Sequence, residues 1–466
     1  MVRSTGDVLM RPNLLVILPH DLGQYNSVYG APVHTPHLHG FSRTATCFTN
    51  ALAAAPTCSP SRAALFTGLY PHQSGMTGLT HLGFRLRRTD RHLAALLRAS
   101  GYRTVLSGIQ HEAPFHGELG YDSYIGSDPD RPFQSDFDPV NFDRVNAEAC
   151  ASFLSSSGHR DGAPWFLSLG LFLPHRPFVS EDRTTRTLAC PAGLPPTESV
   201  RDDVSQFHAS VQEMDANIGT VLEALEASGQ RDTTMVVVVT DHGIDFPRYK
   251  NTLSDGGLAV TLMTRVPGQG EARVSSSLVS LVDLYPTILE VLGVPAPADM
   301  DLSDARAIAD VSGRPAKHAR SHAFSEINYH VSYQPERCVS TARYRLHRRY
   351  HTHSQVLPNV GDSAAKDAVY REHPPVGLGM GRDEAPTAMC LYDRWYDPLQ
   401  NSDLRSVPAL GPVREELEHA LNRFMEATQD PLLDGAVAAP AKAAVAGVNL
   451  YSSHSADHII QQELHE

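Results

Sequence analysis

No stretch of this 466-residue chain approaches the length of a transmembrane helix, and the opening residues 1–10 lack the apolar core of a secretory signal. A cytoplasmic location is the resulting expectation. Basic charge is scarce as well: 39 Lys and Arg stand against 52 Asp and Glu, a formal net charge of -13. That balance argues against general affinity for nucleic acid or acidic membranes, and leaves only small anionic partners held at a specific site. The six cysteines, at positions 47, 58, 150, 190, 338 and 390, form no CxxC pair. Neither a zinc ribbon nor a disulfide framework is indicated, and no internal repeat is visible. With 41% hydrophobic residues the chain can nonetheless bury a large core and divide into more than one structural unit.

The stretch that organises the rest runs from Ala55 to Gly68, where a loop rich in Pro and Ser gives way to an apolar helical run. Cys58 lies at the start of that run. A thiol at a helix N-terminus sits in a positive field and suits a nucleophile or an anion site; taken alone, it suits a buried structural cysteine equally well.

Three apolar runs of strand length each end in polar residues. Asn13–Leu18 leads to His20 and Asp21, Trp165–Phe172 to Pro174-His175-Arg176-Pro177, and the β-branched Thr233–Thr240 to Asp241-His242-Gly243. Continuous apolar strands belong to sheets covered on both faces, and such sheets place ligands at their carboxyl edges. Asp and His there offer hard and borderline metal ligands, with Gly243 allowing close backbone approach; each motif is also an ordinary turn after a buried strand. A shorter strand, Arg103–Leu106, precedes Gly108-Ile109-Gln110-His111, and Lys250 stands nine residues beyond Asp241. Helical periodicity marks His92–Ser100, Val204–Ala227 and Val413–Thr428. Asp215 reads as structural, and His34, His37 and His39 as loop residues without acidic or thiol company. The basic, aromatic run Arg343–Tyr350 reads as a strand with a charged edge rather than a nucleic-acid site.

Cys58-Ser59-Pro60-Ser61-Arg62 followed by Leu65–His72 resembles the signature of type I sulfatases, and the other motifs follow in that family's order over roughly residues 11–430. The segment Gly75–Phe84 is similar to one in sulfamidase-like (N-sulfoglucosamine) sulfatases. The resemblance implies an α/β sandwich of the alkaline-phosphatase superfamily, with a large mixed, mostly parallel sheet and a smaller C-terminal α+β subdomain. Its expected divisions are a catalytic domain at 11–310, a subdomain at 317–430 and a tail at 431–466, the tail a peripheral helix or a mobile segment.

It further implies that a maturation enzyme converts Cys58 to formylglycine. One hydroxyl of the hydrated aldehyde takes the sulfo group; the other, once deprotonated, expels sulfate and restores the aldehyde. Arg62 would hold the nucleophile, Asp21 or Asp241 would help deprotonate it, His175 and Lys250 would assist the leaving group, and His111 would act as base for sulfate elimination. One divalent metal ion would lie among His20, Asp21, Asp241 and His242. Calcium is the family's ion, whereas imidazole at His20 suits manganese or zinc. Two departures stand out: His20 replaces a usual Asp and Ile109 a usual Lys, with Arg85 or Arg176 as candidate stand-ins for the lost cation. The substrate implied is a small sulfate ester or sulfamate, sulfated sugars among the candidates. A phosphodiester or phosphonate monoester hydrolase and a non-catalytic anion-binding homologue are the alternatives.

Overall fold

A computed structural model describes residues 11–128, 137–156, 162–180, 189–300, 302–305, 307–308, 320–351, 356–372 and 388–452. Its strands are β1 (Asn13–Pro19), β2 (Thr46–Phe48), β3 (Ala51–Leu52), β4 (Arg103–Gly108), β5 (Ser123–Ile125), β6 (Trp165–Leu171), β7 (Thr234–Val239), β8 (Leu262–Arg265), β9 (Arg273–Ser275), β10 (Val279–Ser280), β11 (Ala323–Tyr329), β12 (Tyr333–Ser340), β13 (Tyr344–Arg349) and β14 (Met389–Asp393). Eight form one sheet in the order β5-β4-β6-β1-β7-β8-β2-β9. Strands β5, β4, β6, β1 and β7 run parallel, and β8 is antiparallel to both neighbours. This is the large mixed, mostly parallel sheet expected.

Apolar residues on both faces are what bury β1 at the centre. Leu14, Val16 and Leu18 join one core with Phe66, Tyr285 and Ile288, while Leu15 and Ile17 join another with Val204, Phe207 and Val211 of the helix Glu198–Ala227. Register then decides where the chain emerges. Pro19 pairs with Leu171 and Ile17 with Val238, so residues 20–21, 172–175 and 240–242 leave the sheet at one edge. At β4 the exit depends on Gly108, which has φ 73° and lies so near Gly170 that a Cβ would stand 2.0 Å from its carbonyl oxygen. The helix Cys58–Thr67 is buried along its whole length and stops at Gly68 in the left-handed conformation.

A separate four-stranded antiparallel sheet, β11-β12-β13-β14, carries the helix Gly411–Ala427. Leu417, Leu421, Phe424 and Met425 pack on Val339, Leu346 and Leu391. Arg343–Tyr350 is not a charged edge. β14, supplied from far along the chain, pairs on the outer side of β13 and makes it an interior strand. Its cations are consumed by acceptors: Arg345 by Asp255 (2.9 Å) and Arg348 by Glu418 (3.3 Å).

The tail differs from expectation as far as Ser452. Val437, Ala443, Val445 and Ala446 are buried, and the amides of Ala444 and Ala446 donate to the carbonyls of Leu82 (2.9 Å) and Val331 (2.8 Å). These small apolar side chains let an irregular strap lie close between two loops. The expected boundary at residues 310–317 and the last residues, 453–466, fall outside the described residues. Among the described residues no helix is long and apolar enough to cross a membrane.

Candidate active site

The carboxyl edges of β1 and β7 bring His20, Asp21, Asp241 and His242 together, all with no solvent exposure. Asp21 adopts φ 49°, a left-handed conformation unusual outside glycine that functional sites often hold. Its amide and that of His242 both donate to Asp241 Oδ1, each at 3.0 Å. Asp241 Oδ2 accepts from Arg62 Nε at 3.0 Å and lies 3.4 Å from His20 Nε2. Lys250 Nζ donates to Asp21 Oδ2 at 2.7 Å, and His242 Nε2 lies 3.3 Å from Asp21 Oδ1. The close approach expected of Gly243 is present: a Cβ there would stand 1.8 Å from the carbonyl oxygen of Gly256.

Whether these residues suit a divalent metal is tested by their unmet hydrogen bonds. Both ring nitrogens of His20 and Oδ1 of Asp21 are buried without a partner. Each such atom would cost about 1–3 kcal/mol if nothing engaged it. Donor atoms of His20, Asp21, Asp241 and Cys58 lie within 4.8 Å of one another, the spacing of a shared ion. Burial, with Arg62, His175, His111 and Lys250 nearby, lowers the His20 pKa well below the usual range. The imidazole is therefore neutral, the form that binds metal. His242 Nδ1 faces the Gly243 carbonyl at 3.0 Å, and its Nε2 lies 3.3 Å from Cys58 Sγ.

Cys58 is fully enclosed, and burial raises its pKa far above that of a free thiol, against the opposing pull of Lys250. An unmodified thiol here stays protonated at neutral pH and is a poor nucleophile. Arg62 follows one helical turn later. Its Nη1 and Nη2 are buried with no partner, so two N–H-bearing groups remain for an anion.

His175 lies between Pro174 and Pro177, each preceded by a cis peptide bond. Asp143, on the helix Pro139–Ser155, anchors this loop by accepting the amides of Phe172 and Leu173, both at 2.8 Å. The His175 ring centroid is 4.7 Å from that of His20, and its Nε2 is 3.8 Å from Asp21 Oδ2. His111, at φ 83°, packs edge-on to His20 at 5.0 Å. Burial lowers the pKa of both His111 and His175. The structure thus gathers all nine residues expected from the sequence at one edge of the sheet.

The lost lysine has no replacement among the candidates. Ile109 is buried in an apolar cluster with Phe142 and Phe172. Arg176 is committed to Asp203 through two 2.7 Å hydrogen bonds and stands 3.5 Å from Asp245, and Arg85 is exposed. Sequence reasoning missed the buried Asp143, Glu112 and Asp245. Only Asp143 carried a usable signal, a carboxylate next to Phe142 on the buried face of an amphipathic helix. Glu112 is buried with one oxygen unpartnered, and burial lifts its pKa to about 8.

Fold and site together define an α/β protein with a buried cluster of acids, imidazoles and a thiol at the carboxyl edge of its large sheet. The sulfatase family model matches residues 12–294, and the chain belongs to that family, the hydrolases of sulfate esters and sulfamates. It is 28% identical over 472 residues to the N-sulphoglucosamine sulphohydrolase of Homo sapiens, covering 90% of this chain and 91% of that one. Among solved structures, a 4S-sulfatase of glycosaminoglycan metabolism from Bacteroides thetaiotaomicron superposes with TM-score 0.70 at 21% identity, over 92% of this chain and all of that one. The phosphonate monoester hydrolase of Agrobacterium radiobacter does so with TM-score 0.66 at 18% identity, over 91% of this chain and 97% of the other.

Proposed function

We propose that the protein hydrolyses the sulfate ester or sulfamate of a small sugar, with Cys58 matured to formylglycine by a partner enzyme. The observation that supports this most is Arg62, which presents two buried, unpartnered nitrogens beside Cys58 and the Asp21–Asp241 pair. A fixed, desolvated guanidinium suits a tetrahedral anion.

When present, the modified residue supplies a hydroxyl nucleophile and a divalent ion supplies Lewis-acid polarisation of the sulfuryl group. Asp21 or Asp241 takes the proton of the attacking hydroxyl, and Arg62 and Lys250 offset the charge of the sulfuryl oxygens. His175 gives its proton to the departing oxygen or nitrogen as the bond to sulfur breaks. The anionic substrate raises its proton affinity in the same sense as Asp21 does. His111, neutral through burial, takes the second hydroxyl's proton for release of sulfate. His20, Asp21, Asp241 and His242 would hold the ion, and the imidazole content favours manganese or zinc over calcium.

Sugar specificity is suggested by the similarity to N-sulphoglucosamine sulphohydrolase. Parallel assays on N-sulfoglucosamine, an aryl sulfate and an aryl phosphodiester test the reading, together with the mass of the Cys58 peptide. The expected result is preference for the sulfuryl substrates and a peptide about 18 Da lighter than encoded. Preference for the phosphodiester would indicate the phosphonate-hydrolase alternative. No turnover of any substrate by protein carrying the aldehyde would indicate a non-catalytic anion binder.

A further inference from the structure

A cavity separates the loop that carries Lys250 from the C-terminal sheet. Its volume is about 150 Å³, comparable to cavities that hold one six-membered ring. Arg248 and Asn251 line it from the loop, Glu336 from β12, His347 and Arg349 from β13, and Gln400 from the segment after β14. Of the nine residues gathered at the reaction site, only Lys250 reaches its wall. Polar atoms on three of the lining residues lack partners: Asn251 Oδ1, His347 Nε2 and Gln400 Nε2 are buried with no hydrogen bond, and Asn251 and His347 are only 5% and 3% exposed. Each such atom would cost about 1–3 kcal/mol if nothing engaged it. The lining also carries a cation without an acid. Arg349 stands 3.8 Å from Glu336 and Lys250 is held by Asp21, whereas Arg248 donates to neutral acceptors, the Leu399 carbonyl (3.2 Å) and Asn401 Oδ1 (2.7 Å). Arg248 and Asn251, on either side of Lys250, hold left-handed φ values of 74° and 63°, a backbone conformation that ligand-binding sites retain at a cost in stability.

A bare anion does not suit these atoms, because the amide oxygen of Asn251 can only accept. Hydroxyl groups both donate and accept, and so satisfy an amide oxygen, an imidazole nitrogen and an amide nitrogen alike. A ring that carries hydroxyls and one acid group meets the size, the unpaired atoms and the uncompensated cation together. We propose that this cavity is a second binding site, separate from the reaction site, that takes one acidic monosaccharide of the hexuronate class, its hydroxyls pairing with Asn251, His347 and Gln400 and its carboxylate with Arg248. The bound ring bridges the Lys250 loop to the C-terminal sheet. Its binding does not depend on sulfohydrolase activity.

The test is calorimetric titration of glucuronate and of glucose into the full-length protein and two variants remote from the nucleophile. Unmutated protein is expected to bind one equivalent of glucuronate at least roughly tenfold more tightly than glucose, the gain that a charge-assisted hydrogen bond supplies. Arg248→Asn removes the cation while keeping a residue that tolerates the left-handed backbone, and should bring glucuronate down to the affinity of glucose. His347→Phe removes an unpaired nitrogen and fills part of the space, and should abolish binding of both sugars. Circular dichroism and thermal melting confirm that each variant is folded; if His347→Phe is not, Arg248→Asn alone decides. No binding of glucuronate by the unmutated protein, equal affinity for the two sugars, or glucuronate affinity unchanged in the folded variants, as binding at the reaction site would give, overturns the proposal.

Discussion

In His20→Asp a neutral imidazole gives way to a carboxylate in a site that already holds two. The His20 ring nitrogens stand 3.5 Å from Asp21 Oδ1 and 3.4 Å from Asp241 Oδ2, so the new oxygens come within roughly 4 Å of both acids. At that range and an effective dielectric near 20, each like-charge pair costs about 4 kcal/mol. Arg62 and Lys250 return part of this, and the net loss for metal-free protein is a few kcal/mol, on the order of several degrees in melting temperature. A bound dication converts the same three charges into attraction. The assay is thermal melting of chelator-stripped protein titrated with calcium, manganese or zinc. Unmutated protein should be stabilised more by manganese or zinc than by calcium. His20→Asp should melt lower when stripped, gain more from any of the three ions, and shift its order toward calcium. Calcium stabilising the unmutated protein most, or a variant that keeps the unmutated order and stripped melting point, would refute imidazole ligation at position 20.

Removing His175 by His175→Ala should slow substrates with basic leaving groups at least about a hundredfold while activated aryl esters lose far less, because general acid help matters only for a poor leaving group; a Brønsted plot over a leaving-group series reads the difference. Glu112 keeps its proton to about pH 8 in the folded protein and releases it near 4.5 when unfolded, so the native state binds the extra proton between these values. Its contribution to stability therefore falls as pH rises from 4.5 to 8, by up to about 5 kcal/mol, and Glu112→Gln should flatten that slope in denaturant titrations across the range. Asp143→Ala strands two buried amides at the His175 loop; it should cost about 2–5 kcal/mol in chemical denaturation and lower kcat more than it raises KM.

Motif order and strand identity were legible in the sequence because they are local. A run such as Thr234–Val239 of β7 needs only its own β-branched, uncharged residues to announce a buried strand, and whatever follows it must emerge at that strand's carboxyl edge. The expected metal ligands could thus be placed on one edge before any contact was known. What the tertiary structure decided were the partners of charge. Arg176 reads as a free cation beside His175 until Asp203 and Asp245 are seen to hold it, and Arg343–Tyr350 reads as an exposed edge until β14 closes over it. Neutralisation and desolvation depend on groups brought close by folding from distant parts of the chain, and neither residue type nor spacing along the chain encodes that proximity.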